Sequence, residues 1–473
     1  MADHKVVIVG AGPAGMRAAE TLVRAGLRPM VVDEQPASGG QIYRRPPSGF
    51  KRAAKALYGT EAAKAEALHR CFDALADRID YRPDTTVWGL KDDRLFLQNG
   101  GAVEEVRFGR LILATGATDR LLPVPGWTLP GVYTLGAAQI ALKAQGVAIG
   151  APVVFLGSGP LLFLVASQYV RAGVKVAAVL DTSRFIDQAR ALPWLLARPA
   201  FLARGIGLQN ALRRAGVPIH DGVRPEEILG GAEGVVGLRW RDRRGRSRET
   251  AASAIGLGWH LRSEIQLAEL AGCEMAFDPL MRQWRPVADP LGRSSRGNVY
   301  LAGDGARICG ADDAEIAGRL AASAVLEDMG LTPDRSSMRA LLRRHARMKR
   351  FAEGIWRAFP WPADVCAAAA DETILCRCEE VTTGDFRRTI AETDAPELNR
   401  AKAICRVGMG RCQGRYCSLA AAEIMASKNN FQIAKAGRLR PQAPIKPLPS
   451  AVRSSTAPDQ PLRSQRTPSP ELG

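Results

Sequence analysis

The sequence lacks any long apolar run. Its longest apolar stretches, such as Val6–Val9 and Val153–Leu156, have the length of a strand and end in glycine, whereas a membrane-spanning helix needs about 20 apolar residues. The first five residues lead directly into a strand-like run, without the basic, apolar and small-residue segments of a secretory signal. These absences predict no integral membrane span and a cytoplasmic location, with membrane association only peripheral and through a complex.

A concentrated basic surface of the kind that binds nucleic acid is also absent. The net charge is +17, but the positive residues are spread thinly apart from small clusters such as Arg241–Arg248 and Arg343–Arg350. Nucleic-acid binders concentrate positive charge on one element and interleave aromatic residues. We therefore expect no nucleic-acid partner and interpret the charge as solvated faces or a docking surface for an acidic partner protein.

Disulfide chemistry is disfavoured, although the chain has nine cysteines. Disulfide frameworks belong to secreted proteins, and no secretory signal is present. Five cysteines fall between Cys376 and Cys417, and such crowding in a reducing compartment indicates metal or redox chemistry. The isolated cysteines are interpreted as small core residues.

Strand, glycine turn, helix and strand follow one another twice along the chain. The first such unit spans residues 5–34, and the second begins at Pro152 and runs to about Asp181. Alternating βαβ units of this kind predict parallel sheets covered by helices. The fold class is therefore α/β, with two Rossmann-like dinucleotide-binding domains.

The first glycine turn has the spacing of a dinucleotide-binding motif, followed by Asp33 and Glu34 after the next strand. Its residues are Gly10, Ala11, Gly12, Pro13, Ala14 and Gly15. The first glycine permits a tight turn, the second lets the backbone approach a pyrophosphate, and the third allows close packing of helix on strand. The helix N-terminus stabilises phosphate charge, and Asp33, or Glu34 beside it, would accept ribose hydroxyl protons.

Three further motifs resemble those of two-dinucleotide-domain flavoproteins. Gly39-Gly40-Gln41 resembles their pyrophosphate-lining glycine pair, and Ala114-Thr115-Gly116 resembles their strand-to-linker signature. Gly303-Asp304 closes a segment similar to their C-terminal motif. The resemblance implies that Asp304 hydrogen-bonds to the ribityl chain of FAD. Together the motifs predict an FAD site.

The second glycine turn departs from the dinucleotide pattern. It reads Gly157-Ser158-Gly159-Pro160-Leu161-Leu162, so leucine replaces the third glycine and would crowd the helix or the pyrophosphate site. Asp181 ends the next strand and could meet a ribose. Two interpretations stay open: a functional NAD(P)H site, and a domain that is kept for structure or binds a different nucleotide. No redox cysteine pair follows the first glycine turn, which disfavours disulfide reductase activity.

The C-terminal cysteines form two close pairs, Cys376 with Cys378 and Cys412 with Cys417. Four thiolates from two loops can hold a pair of tetrahedral irons. Zinc also accepts four thiolates, but its structural sites favour Cys-x2–4-Cys knuckles. We therefore predict a [2Fe-2S] cluster on these four residues, with Cys405 as a packed neighbour.

Along nearly the whole chain to about residue 450, the sequence resembles the FAD-binding alpha subunits of opine oxidases and D-hydroxyproline dehydrogenases, and the B subunit of hydrogen cyanide synthase. The resemblance rests on Asp33–Pro36, Gly39–Pro46, Pro125–Val132 and Gly157–Leu162. The cysteine module is similar to the bacterioferritin-associated ferredoxin-like [2Fe-2S] domain. Departures are Cys405, where threonine is expected, and Gly258–Arg262, which stands where these proteins have a Gly-Phe-x-Pro-like stretch. The second departure would change what faces the flavin, and with it the identity of the partner or acceptor.

The resemblance implies an electron-transfer subunit of a heteromeric amine or imino-acid dehydrogenase. A separate FAD subunit, the beta subunit, would oxidise the substrate C–N bond, and a small [2Fe-2S] ferredoxin-like subunit would complete the chain. The alternatives are a self-sufficient NAD(P)H-dependent reductase and a non-catalytic scaffold subunit. No catalytic acid or base is identified, and His260 is interpreted as structural.

The domain boundaries follow from these motifs. We expect the FAD domain over residues 1–120 and 296–360, and the second dinucleotide domain over residues 121–295. The mainly helical, ferredoxin-like cysteine module covers residues 372–430. Residues 436–473 are rich in Pro, Arg, Ser and Gln, which predicts a disordered basic tail.

Overall fold

The computed structural model describes residues 3–47, 49–50, 52–449 and 453–454. The strands are β1 (Asp3–Val9), β2 (Met30–Val32), β3 (Asp80–Arg82), β4 (Thr86–Lys91), β5 (Arg94–Asn99), β6 (Ala102–Leu113), β7 (Ala117–Asp119), β8 (Val132–Thr134), β9 (Val153–Ser158), β10 (Val176–Asp181), β11 (Ile219–Asp221), β12 (Arg224–Gly231), β13 (Gly234–Arg241), β14 (Ser247–Ala251), β15 (Ala254–Trp259), β16 (Leu261–Ser263), β17 (Met275–Asp278), β18 (Gln283–Pro286), β19 (Val299–Leu301), β20 (Ile374–Cys376), β21 (Val381–Thr382) and β22 (Arg453–Ser454).

The α-helices range from single turns to 24 residues. They are α1 (Pro13–Arg24), α2 (Ala54–Tyr58), α3 (Ala62–Asp73), α4 (Leu135–Ile140), α5 (Pro160–Arg171), α6 (Phe185–Arg190), α7 (Leu192–Leu195), α8 (Pro199–Arg214), α9 (Gln266–Leu270), α10 (Ala311–Asp328), α11 (Arg335–Ala358), α12 (Ala363–Ala367), α13 (Thr383–Thr393), α14 (Leu398–Cys405) and α15 (Ser418–Lys428). A π-helical turn at Ala141–Gln145 continues α4.

The first sheet carries the first glycine turn. Strands β3, β2, β1, β6 and β19 are parallel neighbours in that order, and β5 and β4 continue the sheet antiparallel from the other half of β6. Successive side chains of a strand face opposite sides. Accordingly, Val6 and Ile8 enter one apolar core and Val7 and Val9 the other. Because both faces are buried, the strand is an uninterrupted apolar run.

The second sheet repeats this arrangement around β9. Its order is β11, β10, β9, β15 and β8, all parallel. Residues Val153–Leu156 in the central strand are fully buried, as expected for a parallel strand with helices on both faces. The predicted α/β class with parallel, Rossmann-like sheets is therefore confirmed.

Helix α11 contacts both the domain of the first sheet and the domain of the second sheet. It lies in the segment predicted to belong to the FAD domain, and it packs on α10 of that domain. Its C-terminal half packs on α6 and α7 of the second domain, where a Cβ on Gly354 would lie 2.8 Å from the Trp194 Cβ. The helix therefore belongs to the interface as much as to either domain.

The cysteine-bearing segment is mainly helical, with α13, α14, α15 and the short β20–β21 ribbon. Its apolar residues, such as Phe386 and Met425, are fully buried and share one core with Trp127 and Trp240 of the second domain. The Trp127 indole N–H donates to the Ile374 carbonyl (2.6 Å). The segment therefore packs against the second domain, and its identity as a ferredoxin-like domain stays a prediction.

The structure differs from the predicted disorder in the first part of residues 436–473. Ile445 is 2% exposed, and its N–H donates to the Trp88 carbonyl (2.9 Å). Strand β22 pairs with the start of β6. Composition does not predict this contact, because a single isoleucine that binds to a distant strand is enough to order the chain here. Residues 455–473 lie outside the described residues.

Within the described ranges, every helix is too short or too polar to span a membrane.

Helices α1 and α10 pack closely because α10 carries a glycine, Gly318, where it meets the backbone of α1. A Cβ on Gly318 would lie 2.0 Å from the Ala14 carbonyl oxygen. The two helices supply alanines and other small side chains to the same core. This close approach fixes the position of the α1 N-terminus relative to the turn that precedes α10.

Replacing Gly318 by alanine should separate the two helices. We expect Gly318→Ala to lower the free energy of unfolding by about 1–3 kcal/mol despite the better helix propensity of alanine, because the methyl group overlaps backbone. Gly207 in α8 is the matched control, since a Cβ there meets no atom within 4 Å. Gly207→Ala should stabilise by about 0.5–1 kcal/mol. Thermal unfolding followed by circular dichroism measures both, and equal shifts would refute the overlap.

Candidate cofactor sites

The first glycine turn holds the N-terminus of α1 against β6. Gly10 has φ +106°, and a Cβ on it would lie 2.3 Å from the Ala114 carbonyl oxygen. Gly15 is equally constrained, because its Cβ would lie 1.7 Å from the Gly10 carbonyl oxygen. Gly12 is the N-cap, Pro13 occupies the first turn, and no side chain caps the helix. The first-turn amides therefore remain available to a phosphate.

Asp33 is buried beneath this turn. Its carboxylate accepts hydrogen bonds from the Ala11 N–H (2.5 Å) and the Gln35 N–H (2.7 Å), and burial raises its pKa. A carboxylate has about four acceptor sites, so two remain for ribose hydroxyls. Glu34 is exposed and pairs with Lys446 (2.9 Å). Asp33 is therefore the acidic group that the fold places at the turn.

The glycine pair after β2 closes on the same helix terminus. Gly40 has φ +62°, and a Cβ on it would lie 2.9 Å from the Gly12 Cα. The Gly39 N–H donates to the Ala11 carbonyl (2.9 Å). Gln41 is exposed, and its side-chain oxygen accepts from Arg44 (2.8 Å). The two glycines, but not the side chain of Gln41, are thus brought to the α1 N-terminus.

The Gly303-Asp304 motif closes the site from the other side. Together with the first glycine turn, Gly39-Gly40 and Ala114–Gly116, it forms what we call the cradle. A Cβ on Gly303, which has φ +69°, would lie 3.0 Å from the Ala14 Cβ. One Asp304 carboxylate oxygen accepts from the Cys309 and Gly310 N–H groups (2.9 and 3.1 Å), and burial raises its pKa. Its other oxygen has no protein partner among the described residues. This arrangement is suited to a hydroxyl-bearing ligand.

Thr115 and Gly116 connect the cradle to the strands between the domains. The Thr115 hydroxyl donates to the Glu264 carbonyl (2.7 Å), and the Glu264 N–H donates to the Gly116 carbonyl (3.0 Å). A Cβ on Gly305, next to Asp304, would lie 2.6 Å from the Thr115 hydroxyl oxygen. All four sequence motifs therefore meet around one helix terminus, and the residues fit a dinucleotide.

The four C-terminal cysteines approach one another in two pairs, Cys376 with Cys417 and Cys378 with Cys412. A hydrogen bond from the Cys417 thiol is the largest cause that lowers the pKa of Cys376, to about 6, and backbone amides including that of Gly408 lower it further. Cys378 is hydrogen-bonded to the thiol and the backbone of Cys412. Among the described residues, no group of three or more histidine, cysteine, aspartate or glutamate side chains is placed to hold a metal ion. Paired thiols with amides directed at sulfur suit a cluster's thiolates.

A buried charged network, which the sequence did not reveal, attaches the cysteine loop to the cradle. Arg415 pairs with Glu264 (2.6 Å) and donates to the Cys412 carbonyl (3.2 Å). Arg262 donates to the Arg415 carbonyl (2.7 Å). Burial acts to raise the pKa of Glu264, but Arg415 and Arg262 outweigh it and lower that pKa. The sequence does not indicate which charged residues on or near short strands will be buried in this way.

The second glycine turn is covered by the protein itself. A Cβ on Gly159 would lie 3.2 Å from the His260 Nδ1, so the imidazole occupies the approach to this glycine. The His260 ring stacks on Trp356 (centroids 4.1 Å apart), and its Nε2 is hydrogen-bonded to the Phe359 carbonyl (2.5 Å). Leu162 is fully buried. In this structure the turn is packed, not open to a dinucleotide.

Asp181, the ribose candidate of the second domain, is engaged locally. Its carboxylate accepts from the Ser183 N–H (2.9 Å) and hydroxyl (2.8 Å). Burial raises its pKa to about 7. A carboxyl group that is partly protonated near neutral pH and already bonded to serine is a poor match for ribose.

Known proteins resemble this chain along most of its length. Residues 4–325 match the pyridine nucleotide-disulphide oxidoreductase family. The A subunit of opine oxidase from Agrobacterium tumefaciens is 39% identical over 463 residues, covering 94% of this chain and 90% of the relative. The HcnB subunit of hydrogen cyanide synthase from Pseudomonas aeruginosa is 35% identical, covering 94% and 97%.

Solved structures share the fold. The L-proline dehydrogenase from P. horikoshii superposes with a TM-score of 0.68 at 18% identity, covering 95% of this chain and 78% of that one. The thioredoxin reductase from T. acidophilum gives 0.52 at 19% identity, covering 69% and 99%. The fold, the four converging motifs and these matches define a flavin-dependent oxidoreductase, and the fold implies FAD. The chain belongs to the pyridine nucleotide-disulphide oxidoreductase family and, within it, to the group that contains HcnB and the A subunit of opine oxidase.

The burial of His260 over the second glycine turn predicts that the stability of the protein depends on pH. Burial lowers the pKa of His260 to about 4, whereas an unfolded histidine titrates near about 6.5. Between these values the unfolded state binds the proton and the native state does not, so stability falls as the pH drops. The slope from this residue reaches about 1.4 kcal/mol per pH unit.

Asparagine at this position tests the slope. Asn tolerates the left-handed backbone of His260 (φ +62°) and does not titrate. Denaturant unfolding should show that His260→Asn flattens the dependence of the free energy of unfolding on pH between pH 6.5 and pH 4. Above about pH 7 the slope should not change, because His260 gains no proton in either the folded or the unfolded state. An unchanged slope in the acid range would show that His260 is not buried in its neutral form.

Proposed function

We propose that this chain is the FAD- and [2Fe-2S]-containing electron-transfer subunit of a heteromeric dehydrogenase of amines or imino acids, such as opines or D-hydroxyproline. The beta partner, a separate FAD-dependent subunit, oxidises the substrate C–N bond. A small [2Fe-2S] ferredoxin-like subunit completes the chain to the acceptor. The names of the relatives support this proposal, because one is called a subunit of an opine oxidase and the other a subunit of hydrogen cyanide synthase. The complex works in the cytoplasm.

The observation that carries the proposal is the short path from the cradle to the cysteine loop. Thr115 contacts Glu264, Glu264 pairs with Arg415, and Arg415 contacts Cys412. Gln266, two residues after Glu264, also donates to the Gln413 carbonyl (2.8 Å). Buried, hydrogen-bonded contacts of this kind hold two groups at a set separation, which electron transfer requires.

The cofactors supply the redox chemistry, and the protein sets their position and potential. The α1 amides, Asp33 and Asp304 would hold FAD, with the glycines of the four motifs giving it room. Cys376, Cys378, Cys412 and Cys417 would hold the cluster, which the amides around Cys376 tune. The buried Arg262 and Arg415 add positive charge beside the cysteine loop.

The covered second turn favours electron entry from a partner rather than from nicotinamide. His260 and Trp356 fill the approach to Gly159, so an NAD(P)H reductase would first have to displace them. The same ring is engaged at Nε2 by the Phe359 carbonyl and lies against Gly159 of the second turn. These features favour cleavage of the C–H bond on a partner protein.

The substrate test separates the proposal from both alternatives. In the purified complex with the amine-oxidising subunit, anaerobic addition of the imino acid should bleach the flavin and the cluster of this chain, while NADH or NADPH should leave the isolated chain oxidised. Rapid bleaching of the isolated chain by NADH would establish a self-sufficient reductase instead. Cofactors that stay oxidised while the complex turns over would establish a scaffold.

Cysteine variants test the cluster. Cys412→Ser should reduce iron from about two atoms per chain to near zero and remove the visible absorption of the cluster, since one of four thiolates is lost. Cys405→Ser is the matched control, because its thiol hydrogen-bonds to the Ala401 carbonyl (3.2 Å) and to the Thr389 side chain, and it should retain full iron. Iron analysis and absorption spectra of anaerobically reconstituted protein give both answers. Equal iron in the two variants would remove Cys412 from the ligand set.

A further inference from the structure

A polar cavity of about 170 Å³ lies outside the FAD cradle. Its walls are the turn that carries Gly303 and Arg307, the loop from Arg285 to Gly292, and one face each of α10 and α11. It shares Gly303 with the cradle, but the first glycine turn and Asp33 are not part of it. Neither the family motifs nor the proposed cluster accounts for it.

Four groups that can carry positive charge face this cavity: Arg285, Arg307, His345 and Lys349. Three of them have carboxylate partners. Asp278 pairs with Arg285 (3.2 Å) and Arg307 (3.9 Å), Glu353 pairs with Arg307 (3.3 Å), and Asp313 is hydrogen-bonded to His345 (2.7 Å).

Lys349 differs from the other three. Its ammonium group has no hydrogen bond or ion pair among the described residues, although it faces the cavity from the inner side of α11. Burial is the largest cause that lowers its pKa; Arg307 and Arg285 lower it as well, whereas Cys309 and Asp313 raise it. The other acidic residue of the wall, Asp289, is already occupied by Arg293 (3.4 Å). A half-buried cation without a directly bonded carboxylate costs free energy that an anionic ligand recovers.

We propose that this cavity is a binding site for a small oxyanion, a short carboxylic acid or inorganic phosphate, whose charge is recognised by Lys349. The volume suits a ligand of a few heavy atoms and excludes a nucleotide. Arg307 and His345 stand on the wall as further hydrogen-bond donors. The site rests on the geometry of this chain alone and does not depend on the proposed cluster or partner.

Calorimetric titration of the full chain tests this site, with pyruvate as the carboxylate probe and inorganic phosphate as the second probe, both at matched ionic strength. Wild-type protein should bind at least one probe saturably, and the tighter of the two identifies the ligand class. Lys349→Met should weaken that binding about 10- to 100-fold, the worth of a charge-assisted hydrogen bond. Arg350→Met, the exposed neighbour on α11, should leave it unchanged.

The site would be overturned if neither probe bound saturably to wild type, or if Lys349→Met and wild type bound with equal affinity. A comparable loss in Arg350→Met would also overturn it, because binding would then follow net charge rather than Lys349. Since Lys349 has no partner to lose, Lys349→Met should unfold at the same or a higher temperature than wild type without ligand. Should it fail to fold, Lys349→Gln gives the same comparison.

Discussion

The structure depends on close backbone contact around the N-terminus of α1. Segments that are far apart in the chain meet there, and glycine allows each contact: Gly10 against Ala114, Gly40 against Gly12, and Gly303 against Ala14. A side chain at any of these glycines would force the segments apart. The same lack of side chains leaves the helix amides bare, so packing and phosphate binding rest on one steric constraint.

The second domain shows that this geometry does not by itself make a binding site. Gly157 and Gly159 shape a turn on β9 and α5 like the first one, yet His260 and Trp356 occupy the space in front of it. Leu162 fills the helix–sheet contact that glycine would otherwise leave. A fold shared with pyridine-nucleotide enzymes therefore does not imply the use of that nucleotide.

The cysteine segment is attached by both apolar and charged contacts, and each has a different consequence. The apolar core it shares with the second domain provides affinity without direction. The Arg415–Glu264 pair and the Arg262 contacts are directional, so they set how the cysteine loop faces the cradle. Buried ion pairs add little net stability, and orientation is the better explanation for this one.

Local patterns in the sequence determined the two glycine turns, the parallel sheets and the paired cysteines, because each depends on spacing within a short segment. Asp33 could be named for the same reason, while its choice over Glu34 needed the contact to Ala11. Only the tertiary structure decided that α11 covers the second turn, that Ile445 anchors the tail, and that Arg415 reaches Glu264. These contacts join residues about 100 or more positions apart, and no periodicity marks a residue whose burial depends on a distant partner.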